Sequence, residues 1–373
     1  MKSTVLLQLK SLTLTHETEA LPDVKDTIAN TVLGNPGGIR YRQLDALKKA
    51  DEIKPLHFFP LRKNGKIISL MALAERITYH EGVPHYTYYV RYVSFNPAYS
   101  VKSANSSDRS LAIHRMGNSF IKEGMKKHAE NFPFLLKEKL ADPEKRIYYA
   151  YVEKSNLRSL NYTEFFFEKI RTFPIIAYSN FFPRADNRVG QIAESGYDTL
   201  VKLLHTVYHK HSFFFPEKEK LLSHYFVLKE GDNILAGVQA QENHWKIEEL
   251  PGILGSIIKN VLPHLPVFSR VIKSNRFTFL TFDTLYCQQG AEHLLPVLFR
   301  SVCALTQVYA GLFYIDENDP LCLPVKKGIK MGLLNKLFRN SHGVVVAKFV
   351  NFSEEEKQSF YHSPVYFSGY DLT

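Results

Sequence analysis

Three histidines in one short stretch have a spacing that could bind a metal ion. His205 and His209 stand at positions i and i+4 of a predicted helix, so their rings would share one face, and His211 follows closely. No cysteine or carboxylate stands at a matching offset, as zinc sites usually require. We therefore interpret the group as a solvated helix end and predict no metal site.

The three cysteines are equally unsuited to metal or disulfide chemistry. Cys287, Cys303 and Cys322 are widely spaced, and none belongs to a Cys-x-x-Cys pair. An odd number of cysteines argues against a disulfide framework, and the spacing argues against structural zinc. We predict buried free thiols.

The chain is strongly basic. Its 47 lysines and arginines outnumber its 37 aspartates and glutamates, and the formal net charge is +10. Such a charge attracts polyanions, whether nucleic acid, an anionic membrane surface or a phosphorylated cofactor such as coenzyme A. The basic residues are scattered, and no helix-turn-helix, zinc-finger or RNP-type motif accompanies them. Nucleic acid is therefore an unlikely partner from the sequence, with tRNA as the exception to test.

The sequence also bears on location. No apolar run reaches the roughly 20 residues that a transmembrane helix needs, so we expect no integral membrane contact. The apolar N-terminal stretch is interrupted by Lys10 and lacks a small-residue cleavage site, which favours a strand over a signal peptide. We expect a cytoplasmic protein, and the sequence carries no signal for its oligomeric state.

The predicted secondary-structure elements that would position a functional site begin with a β-meander. Asn64-Gly65 is a strong hairpin signal between the predicted strands His57–Leu61 and Ile67–Thr78. A turn around Gly82 then leads into a third strand, His85–Phe95, which is rich in Tyr, Val and Thr. Three consecutive antiparallel strands are predicted.

A helical crossover follows the meander. Potential N-cap residues at Ser106–Asp108 begin a helical pattern that ends near Glu130. A buried strand, Ile147–Val152, a helix, Asn156–Phe167, and a closing strand, Phe173–Ala177, come next. Because a helix connects the third strand to Ile147–Val152, we expect these two strands to be parallel.

The second half of the chain repeats this order. We place the boundary in the turn-rich residues 181–187, which divides the chain into domains 1–185 and 186–373. The predicted elements are helix Tyr197–Tyr208, strands Leu221–Leu228 and Ile234–Glu242 around Gly231-Asp232-Asn233, strand Phe277–Tyr286, helix Ala291–Gln307, strand Ala310–Ile315 and strand Gly343–Phe352.

One segment of the first half carries a recognisable motif. Its strand ends near Asn156, a small residue, Ser159, follows three positions later, and Tyr162 precedes an aromatic run that ends at Phe167. This order resembles the strand-to-helix signature of GNAT-superfamily acyl-CoA N-acyltransferases, with Phe166 in place of a usual glycine. The resemblance implies a mixed α/β fold, of α+β type, with two tandem GNAT-like domains, each an antiparallel meander leading into a parallel strand pair flanked by helices.

The resemblance also implies a donor site for acetyl-CoA or another acyl-CoA as co-substrate. In this fold the parallel strands splay after a bulge and expose backbone groups to the pantetheine arm, while a helix N-terminus faces the pyrophosphate. The residues that the resemblance assigns to this site are Ser94, Phe95, Arg115, Gly117, Asn118, Asn156, Ser159, Gln288, Gln289, Gly290 and Ala291.

The implied reaction is the attack of an amine on a thioester. The amine must lose a proton and the departing thiolate must gain one. By resemblance, Tyr162 is the candidate acid, while Glu75 and His80, on and just after the second strand, are candidate bases. We expect an acetyl group to be moved to a small-molecule or peptide amine, with one half binding the donor and the other forming a wall or acceptor platform.

Three alternatives remain open. Tandem GNAT-like folds also occur in aminoacyltransferases that use charged tRNA to build cell-wall peptides, and in protein N-myristoyltransferases. The third alternative is a noncatalytic binding protein. A gel shift with tRNA tests the first, and the absence of thioester turnover with any amine is what the third predicts.

Overall fold

The structure is a computed structural model. It describes residues 3–34, 37–95, 140, 144–156, 159–160, 163, 166–250, 252, 255, 264, 268–273, 276–332, 334–335 and 341–372.

Within these residues, sixteen strands form one mixed sheet. In chain order they are β1 (Ser3–Leu9), β2 (Leu12–Glu17), β3 (Arg40–Gln43), β4 (Leu56–Phe58), β5 (Leu61–Lys63), β6 (Lys66–His80), β7 (Val83–Phe95), β8 (Arg146–Glu153), β9 (Glu168–Ser179), β10 (Val189–Gln191), β11 (Tyr225–Glu230), β12 (Asn233–Glu249), β13 (Ile272–Lys273), β14 (Arg276–Cys287), β15 (Ala310–Tyr314) and β16 (His342–Val350). The main path runs β1-β2-β4-β6-β7-β8-β16-β9-β15-β14-β12-β11-β10, with β3, β5 and β13 paired beside it.

The α-helices cover the sheet and its ends. They are α1 (Pro22–Asn30), α2 (Ala46–Glu52), α3 (Tyr197–Tyr208), α4 (Lys218–His224), α5 (Leu295–Thr306), α6 (Cys322–Gly328), α7 (Glu354–His362) and α8 (Gly369–Leu372). Among the described residues, none of these helices is long and apolar enough to cross a membrane.

Turn chemistry fixes the register of the first meander. Asn64 and Gly65 have φ angles of 48° and 75°, and Glu81 and Gly82 have φ angles of 49° and 76°. Two successive residues with positive φ make the type I′ turn that matches the twist of a hairpin. The predicted hairpins, β5–β6 and β6–β7, are confirmed.

The two halves share a further feature that positions the candidate site. β7 and β8 are parallel, as are β14 and β15. A bulge interrupts the antiparallel ladder just beyond the last paired residues of each parallel pair, at Tyr92 in β7 and at Thr284 in β14, where φ is 53° and 48°. This repetition confirms the predicted mixed α/β fold of two meanders that each lead into a parallel pair.

The closing strands of the two halves are exchanged. β16, from the end of the second half, lies between β8 and β9, and β9, from the first half, pairs with β15. The run Val344–Ala347 in β16 is buried, so this strand suits a place at the centre of the sheet with neighbours on both edges. The division into 1–185 and 186–373 stays a prediction, because each half completes its sheet with a strand of the other.

One predicted strand was partly wrong. The segment Leu221–Leu228 was expected to be extended, but Lys218–His224 forms α4 and β11 begins only at Tyr225. The sequence Lys-Glu-Lys-Leu-Leu consists of good helix formers, and a Glu217–Lys220 ion pair at 2.5 Å spans the first turn. Helical propensity therefore prevails until the β-branched and aromatic residues of β11 begin.

The largest hydrophobic core joins the two halves. It includes Tyr89 and Tyr149 from β7 and β8 together with Phe279 and Tyr314 from β14 and β15. Side chains of both halves therefore meet on one face of the central sheet, next to the place where β7 and β8 diverge.

Candidate active site

The parallel pairing of β7 and β8 ends early. Their register runs from Tyr86 opposite Arg146 to Tyr89 opposite Tyr149. Over the described residues 90–95 and 150–153 the two strands no longer pair with each other. We call the space between them the first splay.

A cavity of about 280 Å³ lies at the first splay. Its wall combines aliphatic and aromatic side chains from β7 and β8 with residues of α1, β3, β12, β15 and β16, so both halves contribute. The residues that define it for the argument below are Val93, Ala150, Tyr41, Trp245, Tyr314 and Gly343. Tyr41 and Trp245 stack with ring centroids 3.8 Å apart. The cavity therefore suits a ligand with an apolar portion.

The corresponding space in the second half is filled. Between β14 and β15, beyond Phe282 and Phe313, lies what we call the second splay, and the cavity there measures only about 30 Å³. Val365–Phe367, which precedes α8, lines this space, and the Tyr366 hydroxyl lies 2.8 Å from Oγ1 of Thr284. The backbone N–H of Gly369 donates to Asp283. Only the first splay thus retains a ligand-sized space among the described residues.

The buried carboxyl of Asp283 has an unusual environment. Burial raises its pKa to about 7, while hydrogen bonds from Gly369 and Thr284 oppose the rise. Its side chain lies at the filled second splay, where it anchors the segment before α8.

Two residues of the predicted donor motif reach the cavity. Asn156 and Ser159 both line it. The Ser159 backbone N–H donates to Oδ1 of Asn156 at 3.1 Å, and the Leu160 N–H donates to the Asn156 carbonyl oxygen at 3.0 Å. Asn156 therefore caps the start of a helical turn that opens at the first splay.

A buried guanidinium lies at the same cavity, and two of its three nitrogens have no hydrogen-bond partner among the described residues. Arg91 is 6% exposed, and its Nε and Nη1 atoms have none within the described structure. Its guanidinium carbon lies 4.4 Å from the centre of the Tyr92 ring. The indole Nε1 of Trp245, a residue 5% exposed, is likewise without an acceptor. Two buried donors therefore border one cavity.

Asp371 supplies a carboxylate to the cavity wall. Its two oxygens accept hydrogen bonds from Nη1 and Nη2 of Arg76 at 2.7 and 3.0 Å. The Tyr89 hydroxyl donates to the backbone oxygen of Asp371 at 3.0 Å. Burial alone would lower the pKa of Arg76, but the nearby Asp371 carboxylate raises it well above its ordinary value. The pair is a buried, bidentate ion pair.

The predicted bases lie elsewhere. Glu75 is buried, and its Oε2 atom is 3.0 Å from Nε2 of His57, whose Nδ1 is 3.1 Å from Nε2 of His16. His80 is buried between the hydroxyl groups of Ser212 and Ser359. Burial, together with neighbouring His85, lowers the pKa of His80 to about 3. Neither Glu75 nor His80 lines the first-splay cavity.

The other predicted site residues have varied positions. Ser94 and Phe95 end β7, opposite Leu70 and Ser69 of β6, next to the cavity-lining Val93. Tyr162 and the Arg115, Gly117 and Asn118 group lie outside the described residues.

The second-half loop is a turn before α5. Gln288 donates its N–H to Leu235, and Ala291 donates its N–H to Gln288. Gly290, with φ of 86°, donates its N–H to the Glu292 carboxylate at 3.1 Å. The Gly290 N–H is therefore bonded to a carboxylate of the chain itself. Gln288, Gln289, Gly290 and Ala291 were predicted to belong to the acyl-CoA site, where such an N–H group would face a phosphate.

Comparison with solved structures decides the fold. The chain resembles the crystal structure of Saccharomyces cerevisiae N-myristoyltransferase with bound myristoyl-CoA, with a TM-score of 0.54 and 9% identity over 95% of this chain and 88% of that chain. A second structure of that enzyme with bound myristoyl-CoA has a TM-score of 0.54 and 9% identity, and the alignment covers 92% of this chain and 80% of that chain. A GCN5-related N-acetyltransferase from Kribbella flavida aligns at 11% identity over 90% and 71% of the chains, with a TM-score of 0.41.

The chain shares the fold of these N-myristoyltransferase structures. No protein-family model and no curated protein sequence matches it. The likeness therefore rests on architecture alone, and it confirms the mixed α/β fold with two GNAT-like halves that was expected from the Asn156–Phe167 motif and the repeated element order.

Sequence reasoning missed the polar groups that border the cavity. Arg91 is the charged residue in the run Tyr-Tyr-Val-Arg-Tyr-Val, residues 88–93, and that contrast was a visible signal. Trp245 is the single tryptophan of the chain. Asp371 offered no local signal, because its position depends on how the C-terminal segment folds back between the halves.

Proposed function

We propose that this chain is an acyl-CoA-dependent N-acyltransferase whose acyl donor binds at the first splay. The observation that carries the proposal is the asymmetry between the halves: about 280 Å³ is open at the first splay, and about 30 Å³ remains at the second. The acyl-CoA supplies an activated carbonyl carbon, and the chain supplies the surface that positions it.

The first splay has the groups that a thioester donor needs. Beyond Tyr89 and Tyr149 the facing edges of β7 and β8 are free of the ladder that joins them earlier. Backbone groups on such edges can pair with amides of an extended ligand, as in strand addition. The helical turn that begins at Asn156 opens at the same place. These features fit an amide-rich arm that enters between the strands.

The cavity wall fits the acyl group and the acceptor. Apolar side chains such as Val93 and Ala150 suit a hydrocarbon chain. We infer acetyl as the acyl group from the sequence motif, and longer chains are the direct comparison in the experiment below. The second half supplies Trp245 and Tyr314 to the wall, consistent with the acceptor platform expected of it.

Proton transfer completes the proposed reaction. The amine nitrogen bonds to the carbonyl carbon, the carbon–sulfur bond breaks, the amine loses a proton, and the thiolate gains one. Tyr162 is the proposed proton donor, from its place in the motif. Glu153 and Asp371 are the two acidic residues that line the cavity. Because Arg76 holds both oxygens of Asp371, we assign the amine of the acceptor to Glu153. Glu75 and His80, the bases proposed from the sequence, would have to act through intervening groups.

Release of free CoA thiol tests the proposal. We expect purified protein to release thiol from acetyl-CoA when a small primary amine is present, and a series up to myristoyl-CoA then shows the preferred chain length. A ligand at a hundredfold excess over its Kd stabilises the native state by about 2.7 kcal/mol, so thermal unfolding with the same thioesters reports binding separately. No turnover and no stabilisation with any acyl-CoA would refute the proposal, and a gel shift with tRNA in that case would favour the tRNA-dependent alternative. Binding without turnover would favour the noncatalytic alternative.

A further inference from the structure

The first-splay cavity contains an uncompensated positive charge. Arg91 is 6% exposed, lines the cavity, and leaves Nε and Nη1 without a hydrogen-bond partner among the described residues. A buried ion without a partner is strongly unfavourable. A buried charged side chain of this kind is tolerated where a bound ligand supplies the counter-ion.

Asp371, Asp45 and Glu52 each have a partner other than Arg91. Asp371 is held by both terminal nitrogens of Arg76. Asp45 pairs with Lys49 at 3.2 Å, and Glu52 accepts a hydrogen bond from the Tyr370 hydroxyl at 2.6 Å. The described structure contains no ion pair that neutralises Arg91.

Lys49 increases the positive charge near this position. It is 2% exposed, and burial together with the charge of Arg91 lowers its pKa, to about 8, against the opposing effect of Asp45. Lys49 has its own partners in Asp45 and Asn243. The charge that awaits a counter-ion at the cavity is therefore that of Arg91.

A second donor borders the same cavity. The Nε1 atom of Trp245 is buried and has no acceptor in the described structure. A carboxylate has two oxygens and can accept from several donors at once, and charge-assisted hydrogen bonds of this kind are short and strong. Apart from the carboxylate residues Glu153 and Asp371, the remaining wall is largely apolar and aromatic, so we expect the ligand to carry its negative charge in one group.

We propose that the acceptor is a small amine that also carries a carboxylate, the class to which free amino acids belong, and that Arg91 binds this carboxylate. This inference rests on the proposed acyltransferase function. Glu153, which lines the same cavity, offers an opposite charge for the ammonium group. The acyl group of the donor would occupy part of the cavity of about 280 Å³, so the space that remains suits a small acceptor. An acceptor without a carboxylate would leave the Arg91 charge buried and unpaired.

A matched pair of ligands tests the carboxylate directly. 3-Phenylpropionate and its amide, 3-phenylpropanamide, differ in charge but hardly in shape, and thermal unfolding of the wild-type protein is measured with each at the same ionic strength. We expect the carboxylate to raise the unfolding midpoint by about 2 °C or more and the amide to leave it unchanged. Equal effects of the two compounds, or none, would overturn the inference.

Two variants separate a ligand-binding arginine from a structural one. Without ligand, Arg91→Met should raise the unfolding midpoint, because it removes an uncompensated buried charge, and it should abolish the response to 3-phenylpropionate. Arg76→Met, the matched control, should lower the midpoint, because it leaves Asp371 unpaired. If Arg91→Met lowers the midpoint as Arg76→Met does, or keeps the wild-type response to 3-phenylpropionate, Arg91 does not bind the acceptor.

The origin of the anion is decided in the same experiment. Inorganic phosphate is added as a third probe, and a midpoint rise equal to that with 3-phenylpropionate would assign Arg91 to a phosphate of the donor and overturn the acceptor assignment. Titration with acetyl-CoA is the separate readout of the proposed function. Donor binding without a carboxylate response would refute this inference alone, whereas a carboxylate response without donor binding would refute the acyltransferase and leave a carboxylate-binding site.

Discussion

The hydroxyl group of Tyr366 lies 2.8 Å from Oγ1 of Thr284, the residue at the bulge of the second splay. The segment that carries Tyr366 occupies that space, whereas the matching space beside Tyr92 in the first half is the large cavity. One internal segment therefore makes two similar halves unequal, and this inequality is our reason for proposing a donor site in the first half.

The Tyr366–Thr284 contact predicts a cost to stability without a cost to donor binding. Tyr366→Phe removes the buried hydroxyl and leaves Thr284 without this partner, so we expect a loss of about 1 kcal/mol in the free energy of unfolding. Tyr309→Phe, which removes an exposed hydroxyl bonded to Gln307, is the control and should change little. Denaturant titration measures the free energy of unfolding of both variants. If Tyr366→Phe also bound acetyl-CoA more weakly than wild type, the donor would lie at the second splay and not at the first.

Asp283 predicts a pH dependence of stability. Its pKa in the folded protein is raised to about 7 by burial, above the value near 4 of an exposed aspartate. Between these pH values the folded state keeps a proton that the unfolded state has released, so raising the pH favours unfolding. Relative to Asp283→Asn, the wild-type protein should lose a few kcal/mol of stability between about pH 4 and pH 7.

The comparison with Asp283→Asn isolates this group from other titrations. Denaturant unfolding of both proteins is measured across that pH range. A constant difference between them would show that Asp283 is ionised in the folded state throughout.

The Arg76–Asp371 ion pair predicts a large loss of stability when one partner is removed. Arg76→Met leaves the Asp371 carboxylate buried without its counter-ion, which costs about 3–5 kcal/mol in the free energy of unfolding. Lys25→Met, at a solvent-exposed pair with Asp51, should have no measurable effect. Denaturant titration measures the free energy of unfolding of each variant. Similar losses in the two variants would contradict a buried, stabilising ion pair between Arg76 and Asp371.

Tyr162 predicts a kinetic effect that is separate from binding. If its hydroxyl protonates the departing thiolate, Tyr162→Phe should lower kcat by about 10²-fold and leave the Kd for acyl-CoA unchanged. Steady-state kinetics and calorimetry on the same sample distinguish these quantities. An unchanged kcat would assign the proton to another donor.

Much of the local structure follows from the sequence. Asn64-Gly65 and Glu81-Gly82 encode their hairpins because only particular residues accept positive φ at both turn positions. Tyr197–Tyr208 was predicted with its observed limits because apolar residues recur at helical spacing. These signals act over a few residues, so they are readable without the fold.

The remaining features depend on distant parts of the chain. β8 and β16 both consist of buried, β-favouring residues, and nothing local specifies that they pair with each other. The cavity contains Arg91 and Asp371, which are brought together by the fold of the whole chain. α1 was also missed, although Pro22 and Asp23 are typical of a helix start. The Asn156–Phe167 motif, in contrast, is a local pattern, and two of its residues, Asn156 and Ser159, line the cavity.

Equilibrium binding of acetyl-CoA and myristoyl-CoA, measured by calorimetry on wild type, Val93→Trp and Val5→Trp, tests the central claim most directly. Val93 lines the first-splay cavity, and an indole there would occupy the space assigned to the donor. Val5 is 59% exposed on β1 and provides the same substitution away from the cavity. We predict that wild type and Val5→Trp bind at least one thioester, and that Val93→Trp binds it about 30-fold more weakly, a loss of about 2 kcal/mol. Failure of wild type to bind either thioester, or equal binding by Val93→Trp and Val5→Trp, would contradict an acyl donor at the first splay.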